Sequence, residues 1–349
     1  MQQATHTRRI QYDLLRVWAA FSVVMLHCAA QYWYGLPVTG RTWKIINAYD
    51  ACFRFGVPVF VMISGAIFLD PARELDVKHL YRHNILRLVI LYVLWSCLYG
   101  LQVCDQQGIG NMEWKQILVT LSRGRYHLWY LPMLVGIYVL LPVLRSWILH
   151  AEKQNIRYFL RLFLLLQILR TTVIGVVENK DILRILELGE IPMVCSYLGY
   201  FVLGYYMVHV GLTVKYHRFL YLSVIPSAAV NILVSTMQSV RDGFPHGEIY
   251  DSFGIFTFLI TVATFQFFSE IAKKDFWGRG SRTVVEEIAR GTLGIYLMHI
   301  AAIDLLKPLI DKGMHPVVGT PVLAVATFLV CYMASALLRR IPVVGRYLC

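Results

Sequence analysis

Charge is the scarcest property of this 349-residue chain: Asp, Glu, Lys and Arg together make up 15% of it, against 57% hydrophobic residues. Soluble domains carry about 25% charged residues, and with a mean hydropathy of +0.56 the chain lies outside their range. Seven cysteines form no CxxC pair, and there is no HExxH or compact Cys/His motif, so nothing proposes a metal site. The cysteines read most simply as small packing residues. A P-loop and a dinucleotide-binding GxGxxG are also missing, which leaves ATP hydrolysis and redox cofactors without support. No connection between apolar runs is long enough for a substantial soluble domain, so any chemistry must be held by helices and short loops. There is no internal repeat, heptad or low-complexity stretch, which weighs against transporters built from two detectably related halves. Basic residues precede the first apolar run without a small-residue cleavage site, predicting an uncleaved first helix.

What is present is a series of ten apolar runs, at residues 14–34, 51–69, 85–104, 128–148, 158–177, 193–213, 219–238, 253–270, 290–307 and 317–338. Their lengths suit bilayer-spanning α-helices, although the ninth is short. The expected fold is therefore all-α, one polytopic domain over 1–349 with ten transmembrane helices. Lys and Arg gather in alternate connections, among them Arg73, Lys78 and Arg82, then Lys273, Lys274, Arg279 and Arg282, and at both ends in Arg8, Arg9, Arg339, Arg340 and Arg346. The opposite connections are poorer in them, which predicts cytoplasmic termini and agrees with an even number of spans. The formal charge of +12 then reflects topology rather than a nucleic-acid partner. Two outer connections, 105–126 and 239–252, are rich in Gly and polar residues and either line an entrance or simply join helices.

Polar residues inside the runs carry the chemical information. The first run, YDLLRVWAAFSVVMLHCAAQYW, sets Asp13 and Arg16 at one end and His27 well inside, where an ionisable group costs several kcal/mol without partners. On a helix Asp13 and His27 are about 21 Å apart and Arg16 and His27 about 16 Å, so they form no single dyad. Two readings fit: a polar mouth with a reactive histidine at depth, or a capped helix with a packed histidine. The second run returns inward, which brings Arg54 to a depth comparable with His27, either to hold an anionic group or to snorkel to the headgroups. Arg82 and Arg87 open the third run beside His79 and His83, a cluster suited to phosphate and equally to the positive-inside rule. The fourth run begins GRYHLWYLPML, putting His127 and Trp129 near the outer interface as an acceptor pocket or as part of an aromatic belt. His299, in RGTLGIYLMHI, is a second buried histidine with an orienting or purely structural role. A neutral imidazole suits acyl transfer, because it takes the proton from a hydroxyl that attacks a thioester.

In order along the chain, YDLLRVWAAFSVVMLH, FGVPVFVMISGAIF, RHNILRL, YHLWYLPMLVGIYVLLPVLR and GTLGIYLMH resemble the membrane-bound acyltransferase-3 family, in particular its bacterial envelope-glycan O-acetyltransferases. The resemblance runs from the first helix to the ninth. It implies O-acyl transfer at the bacterial cytoplasmic membrane from acyl-CoA, preferably acetyl-CoA, to a hydroxyl of a lipid-linked or nascent envelope glycan. Acyl-CoA is then a donor substrate, and no further cofactor is implied. It makes His27 the leading catalytic candidate, as base or acyl relay. Asp13 and Arg16 match the family's first-helix entrance, and Arg82 and Arg87 its basic third-helix entrance. Together these four would shape the donor site. Arg54, His127 and Trp129 are the expected substrate or transition-state contacts, with His299 a secondary site. Two rival classes use the same residues differently: a transporter for protons or anions, and an assembly protein whose buried charges only specify helix packing.

Overall fold

The computed structural model describes residues 10–107, 112–177, 179–187, 189–273 and 277–341. Arg8, Arg9, Lys274 and Arg346, which enter the expected charge bias, lie outside the described residues. The described chain is helical throughout, with no strand. Its longer helices are α1 (Ile10–Trp33), α2 (Arg41–Cys52), α3 (Gly56–Phe68), α4 (Leu86–Gln107), α5 (Trp114–Arg123), α6 (Tyr130–His150), α7 (Lys153–Phe163), α8 (Lys180–Glu187), α9 (Met193–His209), α10 (Val214–Asp242), α11 (Ile255–Ile271), α12 (Arg279–Asp311) and α13 (Pro316–Leu338). A π-helical turn, Leu80–Ile85, leads into α4, and another, Leu164–Leu169, extends α7.

Among the described residues, eight helical stretches are long and apolar enough to cross a membrane. The other two expected runs, 158–177 and 193–213, are helical as well. One begins with the strongly polar α7 (KQNIRYFLRLF), and the other is the 17-residue α9. Three expectations need correction. The second span starts at Arg41 rather than near residue 51, because α2 carries Asn47 and Asp50 toward the protein interior and so reads as polar. The ninth run is not short: α12 is a 33-residue helix. The connection 105–126 holds α5, opened by a capping box between Glu113 and Gln116.

Helix α3 sits at the centre, against α1 on one side and α9 on another. With lipid outside, the hydrophobic effect does not press helices together, and close backbone packing takes its place. A Cβ on Gly65 would lie 1.8 Å from the Phe201 carbonyl oxygen, and one on Gly204 would lie 1.9 Å from that of Met62. Only glycine at both positions lets α3 and α9 meet backbone to backbone. Beyond the end of α3, the buried Arg145 of α6 donates to the carbonyls of Phe68 (2.8 Å), Asp70 (2.9 Å) and Arg73. It thereby satisfies carbonyls that a helix end leaves open, and fixes the loop that carries Asp70 and Arg73.

Candidate active site

A cavity of about 860 Å³ opens at the N-terminal end of α1, within the size range of small-molecule sites. Asp13, Arg16, Arg73, His83, Arg87 and Arg290 are among the residues around it, and Asp13 and Arg16 are paired at 3.2 Å. Three of the four expected donor residues thus meet at one hollow. Arg82 does not line it and is exposed. His83 and Arg87 are four residues apart and share a helix face, whereas Arg82 is off that face. Arg73, supplied by the loop that Arg145 clamps, was legible only as a topological charge.

Val23, Tyr130 and Tyr296 also line the cavity. Val23 lies one helical turn, about 6 Å, before His27. Tyr296 donates its hydroxyl to the His127 carbonyl, and its ring stands 5.5 Å from that of Tyr130, centroid to centroid. The Tyr296 ring also packs against those of His127 and His299, so the cavity lining touches a cluster of three histidines. His27 and His299 have ring centroids 5.0 Å apart, as do His299 and His127. The three come from α1, from the 3-10 turn Tyr126–Trp129 and from the middle of α12. The depth argument for His27 and His127 needed one more element, since His299 is what joins them.

Hydrogen bonding sets the state of these rings. His299 Nδ1 is 2.6 Å from the Tyr296 carbonyl, which can only accept, so Nδ1 carries the proton and Nε2 is free to accept in the neutral ring. That Nε2 is buried and has no partner, and neither nitrogen of the buried His127 has one. His27 is less enclosed, with the Tyr126 hydroxyl 3.4 Å from its Nδ1. A ring with a free acceptor nitrogen therefore lies beside His27. Among the described residues no group of His, Cys, Asp or Glu has the geometry to hold a metal ion, this cluster included.

Arg54 falls in the break between α2 and α3. Its guanidinium meets the buried Asp50 at 2.6 Å and lies 5.0 Å from the Tyr250 ring centroid. Tyr250 continues the network by donating to Asn47, which also accepts from Trp33 and donates to Ser235. Trp129 turns elsewhere, packing against Tyr197 and Tyr130 at 5.8 and 6.3 Å rather than joining the histidines. Tyr296 went unnoticed in the sequence, although its i,i+3 spacing to His299 puts both on one face of α12.

A many-helix membrane protein with a basic cavity leading toward buried histidines is the class this architecture defines. The acyltransferase-3 family model, described as an acyltransferase domain, matches residues 9–336, and the chain belongs to that family. No curated protein and no solved structure matched the chain.

Proposed function

We propose that the protein is an acyl-CoA-dependent O-acyltransferase of the bacterial cytoplasmic membrane, with ten spans and both termini in the cytoplasm. The single observation that carries this reading is the cavity itself, rimmed by Arg16, Arg73, Arg87 and Arg290 and ending one turn short of His27. The rim arginines suit the phosphates of CoA, since guanidinium binds phosphate through paired, charge-assisted hydrogen bonds. The arm of the donor then points its thioester along α1 toward His27. Acetyl-CoA is the preferred donor and a lipid-linked or nascent envelope glycan the preferred acceptor.

In this reading His27 takes the proton of the acceptor hydroxyl as its oxygen attacks the thioester carbonyl. The C–O bond forms, the C–S bond breaks, and the departing thiolate takes a proton from the imidazolium to leave as CoA thiol. An acyl-imidazole relay gives the same products in two steps. Arg54 supplies positive charge near the developing oxyanion, and the His299 ring packs against His27 and positions its imidazole. The test is labelled acetyl-CoA with purified protein and an envelope fraction: acetyl ester and free CoA should form in equal amounts. Movement of a solute without any covalent product would instead favour the transporter reading.

A further inference from the structure

Beyond His27, on the side away from the basic cavity, lies a polar group that the donor reading leaves unused. Arg125 pairs with Asp304 at 2.7 Å, their side chains 23% and 32% exposed. Tyr126, next in sequence, is 56% exposed and presents its hydroxyl to His27. One turn further along α12, Lys307 pairs with Asp311 at 2.6 Å and lies over the Tyr32 ring, whose hydroxyl also reaches Asp311. The Nε of Arg125 is buried and makes no hydrogen bond.

We infer that Tyr126, Arg125 and Asp304 form the acceptor subsite, and that it takes a neutral polyhydroxylated ring such as a pyranose. This rests on the acyltransferase reading and says which residues meet its acceptor. An exposed aromatic ring offers a face or edge to the C–H surface of a sugar. A carboxylate and a guanidinium side by side accept from and donate to neighbouring hydroxyls. The hydroxyl nearest Tyr126 is then also nearest His27, which would select the position acylated. Each carboxylate in this group is matched by one cation, Asp304 by Arg125 and Asp311 by Lys307, so there is no unmatched charge to hold an anionic sugar. The expected acceptor pocket at His127 and Trp129 is replaced by one built on their neighbours, because His127 turns into the protein and Trp129 packs on Tyr197.

The test measures binding apart from chemistry. Saturation-transfer NMR on the full-length purified protein would use p-nitrophenyl glucopyranoside, N-acetylglucosaminide and glucuronide as probes, with acetyl-CoA consumption followed in parallel. The two neutral glycosides should bind, with the glucuronide at least tenfold weaker. Asp304→Asn and Tyr126→Ala should each weaken neutral binding at least tenfold while the KM for acetyl-CoA stays at its wild-type value. The charge-swapped variant Arg125→Asp with Asp304→Arg restores an ion pair and controls for folding, and it should still bind poorly. Recovery of binding in the swap would reduce the pair to a structural link and overturn the subsite, as would equal glucuronide binding or no glycoside binding by wild type. Glycoside binding without any acetyl transfer would leave the subsite standing and sink the acyltransferase reading.

Discussion

The His299 ring lies 5.0 Å from the His27 ring, with its Nδ1 proton already committed to the Tyr296 carbonyl. A ring held in one tautomer presents its bare nitrogen to whatever stands beside it. His27→Gln keeps polarity but removes the base and should lower acyl transfer at least ~10²-fold. His299→Gln should lower it less, and the double variant should fall no further than His27→Gln, because groups acting as a unit are not additive. Turnover of folded variants in the same lipid, with CoA binding measured beside it, is the check. Normal transfer by His27→Gln would remove it from the chemistry.

The two arginines of the third span should behave differently. Arg87 lines the cavity and Arg82 does not. Losing a charge-assisted phosphate contact costs roughly 1.5–3 kcal/mol, so Arg87→Ala should weaken donor use roughly 10- to 150-fold, with lysine recovering only part. Arg82→Ala should leave the donor KM nearly unchanged. Saturation curves with acetyl-CoA decide it, and equal effects would contradict the proposed donor site.

Arg145 should matter to stability and to the donor together. Removing it strands the carbonyls of Phe68, Asp70 and Arg73, at a cost of about 1–3 kcal/mol for each left buried. Arg145→Ala should lower the thermal unfolding midpoint in detergent and raise the donor KM, since Arg73 loses its support. A changed midpoint with an unaltered KM would show that the loop does not serve the donor.

At the centre of the bundle, Gly204→Ala should separate α3 from α9. Its Cβ would meet backbone rather than a movable side chain. Overpacking of this kind costs about 1–3 kcal/mol or more. The thermal midpoint should fall, and an unchanged value would mean that the helices slide apart freely.

The proposed topology can be checked with single cysteines in a background free of native ones. Positions 119 and 244, both exposed, should react with an impermeant reagent added to intact cells, whereas 78 and 280 should not. The opposite pattern would invert the molecule in the membrane.

Much of this arrangement was legible in the residues, and the gaps have physical causes. Apolar runs announce helices because lipid allows the backbone no other open form, so all ten runs fell on helix. The start of α2 was hidden because Asn47 and Asp50 are polar but face protein, and hydropathy cannot tell a buried polar side from a solvated one. His27, Arg16 and Arg87 stood out as charge or imidazole next to apolar sequence. The joining of His27 to His127 through His299 depends on how distant helices cross, which no local pattern encodes. Arg145 looked like one more topological arginine for the same reason: its three carbonyl partners lie more than seventy residues away.

The paired phenol rings of Tyr130 and Tyr296 bear on the membrane as much as on the proposed reaction. A hollow of about 860 Å³ that continued past them to the opposite face would be an open aqueous path through a membrane. Two aromatic side chains in its lining and one hydrogen bond to the His127 backbone stand between this hollow and the histidines in the chain of contacts. In the proposed reaction only an acyl group and the proton returned to the thiolate need pass these rings, so the bulk of the donor can stay on the cavity side.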